Sequence, residues 1–308
     1  MRNARQIYQE TLDGMTAAVM SRDPAAFAEY VEFPYEIRVM DGMIVCKDKS
    51  DVARSVNNFA EQLEQYGVTD MSRVCDSAQF LNADHIIGHH TSRVMSGDKE
   101  VISPYVTRLG LYRSKDGHWR ATLSDSVLCS ADWQLIPNWV SQTEGDSLTK
   151  DVSAQDKRLK LFQTILDRIS AAFLSGDADA WLNACSLPFQ LVSRHGVETF
   201  TTRDEMRRDF EAYQREFKTH GVTDIIREAK TAELIDDDHM VGTYRTHIMN
   251  RGNHVVPPWE ASLTLRREDG IWRATTVMRA IGHLNWSAQT RAAIEDIPQD
   301  TPKKGDHQ

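Results

Sequence analysis

The 308-residue sequence predicts an α+β chain in which one domain is written twice. Three observations lead there. The tetrapeptide Gly-Val-Thr-Asp begins at Gly67 and again at Gly221, 221 − 67 = 154 positions apart. That offset also aligns Leu12-Asp13 with Leu166-Asp167, Pro34 with Pro188, Asp84-His85 with Asp238-His239 and Gly88 with Gly242. Each half, finally, passes from apolar spacing near the helical period to strand-like alternation. Repeats of about 20–50 residues build solenoids, so a period this long is a duplicated domain. The expected division is a first domain over 1–136, a linker over 137–156, a second domain over 157–288 and a tail over 289–308.

Each copy opens on an amphipathic helix. Tyr8, Leu12, Met15 and Val19 fall on one face, as do Phe162, Leu166, Ile169 and Phe173. A short second helix follows at 23–31 and 177–185, and Pro34 and Pro188 are expected to close it, because the residue before a proline is pushed out of the helical region. Two short strands come next. The third helix carries Val52, Val56, Phe59, Leu63 and Tyr66, matched by Met206, Phe210, Tyr213, Phe217 and His220, and Thr202 with Glu205 has the form of a capping box. Gly67 and Gly221 stop that helix, and Val-Thr starts a strand. Three longer strands then form an antiparallel meander, punctuated by turn signals at 82–84, Gly97-Asp98 and Asp116-Gly117.

Composition narrows the function classes. A formal net charge of −9 and a pI near 5.7 argue against a nucleic-acid binder, which needs clustered cations. Cys46, Cys75, Cys129 and Cys185 lie far apart, so reduced thiols are expected rather than disulfides or zinc. His89 and His90 point to opposite strand faces and cannot share a metal ion. No phosphate-cradling glycine loop or nucleophile elbow is present, and no cofactor is expected. Without a signal-peptide core or a membrane-length apolar run, a cytoplasmic location is expected.

The element order, with a proline after the second helix and the turns Asp116-Gly117-His118-Trp119-Arg120 and Asp269-Gly270-Ile271-Trp272-Arg273, resembles the nuclear transport factor 2-like (SnoaL-like, cystatin-cone) superfamily. The likeness covers roughly 1–135 and 157–288. It implies a cone in each half: three helices packed in a curved, mostly antiparallel sheet around a largely apolar pocket. The superfamily holds ketosteroid isomerases, polyketide cyclases, dehydratases, epoxide hydrolases and non-catalytic modules, so fold alone does not give function. The isomerase pattern fails residue by residue. Its base would fall on Phe33 or Leu187. Its oxyanion tyrosine would fall on Met15 or Ile169, and its oxyanion acid on Thr107 or Leu109 and on Ala261 or Leu263.

Strand alternation supplies the candidate pocket residues instead. Ile86, Gly88, His90, Ser92 and Val94 are taken as an inward face, with Tyr105, Thr107, Leu109 and Leu111 on the next strand. A regular hairpin at Gly97-Asp98 sets His90 beside Tyr105, and Tyr244 beside Trp259 in the second copy. The candidate lining is therefore His90, Tyr105, Thr107, Tyr35 and Phe59 in one lobe, and Tyr244 and Trp259 in the other; catalytic residues stay unassigned. His90 either exchanges protons near neutral pH or is a satisfied core group. The second lobe lacks this histidine, and its pocket is expected to be filled by Trp259 and Phe189. Asp13 and Asp167, with Gln9 and Gln163 one turn earlier, offer a carboxylate for catalysis but read rather as a solvated helix face or a lobe–lobe contact. Trp119 and Trp272 are expected to pin the last strands.

Two functions stay open. One is binding of a small, largely apolar molecule, with or without isomerase-, dehydratase- or cyclase-type chemistry. The other is a non-enzymatic binding or assembly module with filled pockets. The partners expected are that small ligand, no nucleic acid and no membrane, with the lobes forming an intramolecular pseudo-dimer and further self-association left open.

Overall fold

Sheet pairing, more than helix propensity, sets where the elements begin and end. The structure is a computed structural model describing residues 3–39, 42–128, 152–193 and 196–278. The first lobe comprises α1 (Ala4–Met20), α2 (Pro24–Ala28), β1 (Val31–Val39), β2 (Gly42–Cys46), α3 (Lys49–Gln65), β3 (Asp70–Asn82), β4 (His85–Ser96), β5 (Lys99–Arg113) and β6 (Trp119–Ser126). The second repeats it with α4 (Val152–Ser175), α5 (Ala178–Asn183), β7 (Cys185–Ser193), β8 (Gly196–Phe200), α6 (Arg203–Thr219), β9 (Asp224–Leu234), β10 (His239–Asn250), β11 (Asn253–His254), β12 (Trp259–Glu268) and β13 (Ile271–Met278). The sheet orders match, β2-β1-β6-β5-β4-β3 and β8-β7-β13-β12-β10-β9, with β11 a short extension on β10. Only β1 with β6 and β7 with β13 run parallel among these pairs. Helix α4 opens at Val152, inside the segment expected as linker; 137–151 and the tail 289–308 lie outside the described residues. So does Cys129, while Cys46, Cys75 and Cys185 are buried free thiols. Among the described residues no helix is long and apolar enough to cross a membrane.

The repeated Gly-Val-Thr-Asp is a compound joint. Gly67 and Gly221 take φ of 62° and 61°, the left-handed turn that ends α3 and α6. Val68 N–H then reaches back to Leu63 O at 2.8 Å and Gly67 N–H to Glu64 O at 2.9 Å, a Schellman stop, which Val222 and Gly221 repeat on Phe217 and Lys218. Threonine makes the next link. Thr69 N–H bonds Met95 O at 2.8 Å, and its hydroxyl accepts the Gly97 N–H at 2.9 Å, clamping the β4–β5 turn. Thr223 does the same with Met249 and Arg251.

The prolines do not close the second helices, contrary to the sequence expectation. Helix α2 ends at Ala28, six residues before Pro34, and the chain turns directly into the sheet, Tyr30 O accepting the Ala121 N–H of β6 at 2.7 Å. Pro34 lies inside β1, where the pairing with β6 shifts register between Val31 and Glu36. Pro188 occupies the matching irregularity in β7. A residue without an N–H fits a bulge, where no ladder bond is asked of it.

Helix α1 lies across its sheet with Tyr8, Leu12, Met15 and Val19 buried, its start fixed by a capping box between Asn3 and Gln6. Tyr8 rests on Gly88, where an added Cβ would come within 2.6 Å of the ring; Phe162 rests on Gly242 in the same way, at 2.4 Å. The aligned glycines are therefore seats for an aromatic ring. Gln9, expected on a solvated face or at the lobe contact, instead ties α1 to β3. It donates to Arg73 O and accepts from Cys75 N–H, both at 2.8 Å. Gln163 ties α4 to β9 through Arg227 and Ala229. Trp119 packs on Phe80 and Trp272 under Arg267, holding the last strands as expected.

The lobes meet through the outer faces of their sheets. Arg108 and Asp125, both fully buried, pair at 2.7 Å; Arg108 also donates to Thr264 at 3.1 Å, and Ser262 donates to Asp125 at 3.3 Å. Asn82 donates to Asp236, its own equivalent at the 154 offset. Equivalent positions touch each other only near a twofold axis. The contacts of Arg38 with Glu233 and of Gln190 with Ser77 are reciprocal in the same sense, linking β1 to β9 and β7 to β3. This face buries His89 as well, whose pKa is lowered to about 3 by burial and then by the Arg108 charge.

Removing one member of the buried ion pair strands the other. Asp125→Ala should therefore cost about 3–5 kcal/mol in denaturant titration, and the double replacement Arg108→Met, Asp125→Leu much less. His89 gives a pH signature. Its folded pKa is depressed, so below about pH 6.5 the unfolded chain binds a proton that the folded one refuses, and stability falls by about 1.4 kcal/mol per pH unit towards pH 3. In urea melts at pH 7 and 4.5, His89→Gln should lose about 2 kcal/mol less than the parent. Equal losses would mean that His89 protonates in the folded protein.

Candidate functional site

A cavity of about 170 Å³ lies in the first lobe between α1, α3 and the inner face of the sheet. Leu12, Met15 and Val19 of α1 and Val52, Val56 and Phe59 of α3 form its apolar wall, and the strands add Tyr35, Arg73, His90, Ser92, Tyr105 and Thr107. The volume is on the order of the ~150 Å³ that accommodates a benzene. The five first-lobe residues expected from the sequence thus share one cavity. Tyr244 and Trp259 line its counterpart in the second lobe, which is only about 80 Å³.

The pairing inside the site differs from the expected one. His90 stands opposite Thr107, and Tyr105 opposite Ser92. A regular hairpin at Gly97-Asp98 would have paired His90 with Tyr105, but two irregularities, between Ser92 and Val94 and between Val94 and Met95, slide β5 by two residues. A slip of two keeps each side chain on its face, so both still line the cavity. In the second lobe Tyr244 faces Ala261, and Trp259 faces Thr246, because 255–258 separate β11 from β12.

His90 does not exchange protons near neutral pH. Burial, followed by the charge of Arg73, holds its pKa well below the usual histidine range. The Tyr8 hydroxyl lies 2.9 Å from His90 Nδ1 and accepts the Leu109 N–H at 3.1 Å. With that N–H accepted, the Tyr8 proton goes to Nδ1, and the neutral imidazole carries its own proton on Nε2. Tyr35 and Tyr105 are raised by burial above the ordinary phenol range and hydrogen-bond Ser124 and Ser92. Cys46, also on the wall, is pushed up to about 12 by burial and by Asp51, and stays a thiol. At neutral pH the wall thus presents hydroxyls, a neutral imidazole and guanidinium groups. Among the described residues, no group of three His, Cys, Asp or Glu side chains is arranged to hold a metal ion.

Sequence reasoning missed Arg73. It sits on β3, whose sequence shows no clean alternation, and the signal for it is its counterpart Arg227, 227 − 73 = 154 positions on. Both arginines line the cavity of their lobe.

The second cavity is small because aromatic rings occupy it. Phe173, Phe210 and Trp181 stand where the first lobe has Val19, Val56 and Phe27, and the Phe173 ring lies 4.9 Å from Phe210 and 5.1 Å from Trp181. The expected fillers were Trp259 and Phe189. Trp259 lines what remains of the space. Phe189 packs on Trp181 and Phe200 at one side.

A family model described as NTF2-like protein (DUF6841) matches residues 157–280. No curated protein matches the chain. Among solved structures, an NTF2-like protein with a cystatin-like fold from Novosphingobium aromaticivorans is 18% identical, covering 44% of this chain and 89% of its own, with a TM-score of 0.34. A domain of unknown function with a cystatin-like fold from Nostoc punctiforme is 13% identical, covering 52% and 95%, with a TM-score of 0.35. An NTF-2 like protein of unknown function from Shewanella oneidensis is 12% identical, covering 40% and 97%, with a TM-score of 0.33. The match to the NTF2-like family model falls in the second lobe, residues 157–280, and the first lobe repeats that lobe's element order and sheet order.

Proposed function

We propose that this protein binds a compact, largely apolar small molecule in the first lobe, while the second lobe serves as a packed partner. The observation that carries this reading is the difference between two cavities on one scaffold, about 170 Å³ against about 80 Å³. Two valines in the first lobe leave the space that two phenylalanines fill in the second. A mainly apolar hollow with a few convergent polar groups is the usual form of a small-molecule site. Binding is favoured over acid–base turnover, because the wall holds no carboxylate among the described residues and its histidine is kept neutral. The alternative of a module with filled pockets describes the second lobe, where the Phe173 cluster has closed the space.

The second lobe supplies its own control. Val56→Phe copies Phe210 into the first lobe and should close the cavity. With neutral single-ring probes such as phenol near 100 times their Kd, the parent should gain roughly 5 °C in melting temperature and Val56→Phe none. Probes that stabilise both proteins equally would locate binding elsewhere, and the reading would fail.

A further inference from the structure

Resting on that reading of the cavity, we infer that the ligand is a compact monocarboxylate, one ring in size, whose carboxylate is held by Arg73. Among the described residues the cavity wall carries two cations, Arg38 and Arg73, and no aspartate or glutamate. Arg38 is already neutralised, at 2.5 Å by Glu36 and 3.8 Å by Glu233. Arg73 pairs with no carboxylate among the described residues; its guanidinium contacts the Met71 sulfur at 3.9 Å. A partly buried cation whose side-chain acceptor is a weak thioether sulfur is the group an anionic ligand satisfies best.

Comparison of the two copies sharpens the point. Arg227, the counterpart, donates to Ser170 at 2.8 Å, lies 5.6 Å from the centre of the Phe173 ring and shares its cavity with Asp209. Subtracting 154 from those three positions gives Thr16, Val19 and Ser55. The Thr16 hydroxyl is committed to Leu12 O at 2.7 Å, Val19 offers no ring, and Ser55 brings no charge. The first lobe thus has the same cation without the ring that covers it in the second lobe and without an acid at the position of Asp209. The remaining polar wall suits an oxyanion. Tyr35 and Tyr105 stay protonated, so both keep a hydroxyl proton, and the neutral His90 adds no charge of its own. The guanidinium fork matches the two oxygens of a carboxylate. The volume limits the ligand body to about one ring. A second carboxylate would meet only Arg38, whose charge Glu36 already balances.

Isothermal titration of the full chain with benzoate and its uncharged isostere benzamide tests this. Benzoate should bind at least about tenfold more tightly than benzamide, the scale of one charged hydrogen-bond pair. In Arg73→Gln, checked for folding by circular dichroism and melting, the preference should vanish. Phthalate, with its second charge, should bind more weakly than benzoate. If benzamide equals benzoate on the parent and Val56→Phe abolishes both, the cavity is a ligand site and the carboxylate assignment is wrong. A benzoate preference that survives Arg73→Gln would also overturn it. If neither molecule binds at millimolar concentration, the cavity reading and this inference fall together. Should Arg73→Gln fail to fold, the benzoate-to-benzamide ratio on the parent decides.

Discussion

The distance between the first helix and its sheet is set by one contact, an aromatic ring lying on a glycine. Tyr8 on Gly88 and Phe162 on Gly242 let the helix approach where any Cβ would collide with the ring. Everything above the sheet inherits that spacing: the depth of the cavity, the reach of α3 across it and the position of Gln9 on β3. In the first lobe the ring is a tyrosine, and its hydroxyl joins the Leu109 backbone to His90. The same contact that seats the helix therefore fixes the tautomer of a cavity-lining imidazole. In the second lobe Phe162 seats the helix without that link, and Tyr244 stands where His90 would be.

The two lobes differ in how they fill the space under the first helix. Burying rings stabilises a lobe by area removed from water and by close packing. The second lobe has taken that course with Phe173, Phe210 and Trp181. The first leaves the volume open, forgoing part of that gain. A less fully packed lobe is easier to retain when its partner is well packed and the two share a buried face.

That shared face is polar at its centre. Arg108 and Asp125 are fully buried and satisfied partly from the other lobe, by Thr264 and Ser262. An ion pair of this kind adds little net stability, because desolvation cancels much of the attraction. What it supplies is a preferred fit for the lobes: the pair lies within the first lobe, and a slip along the interface would cost it the hydrogen bonds to Thr264 and from Ser262. The covalent link between the halves lowers the cost of finding that fit.

The chain by itself determined the duplication, the order of elements and the stop-and-start role of Gly-Val-Thr-Asp, since these depend on local conformational preference and on patterns that recur at a fixed offset. His90, Tyr105 and Thr107 line one cavity because alternation along a strand survives a register slip of two, and Tyr35 on β1 and Phe59 on α3 line it as well. Tertiary structure decided the rest. The irregularities in β4 and β5 chose Thr107 rather than Tyr105 as the partner of His90, and pairing with β6 put Pro34 inside a strand instead of at a helix end. Burial next to Arg73 turned His90 from a proton carrier into a fixed neutral group. Arg73 itself stayed hidden because the meaning of a charge depends on which counter-charges surround it, and those come from segments far away in the chain.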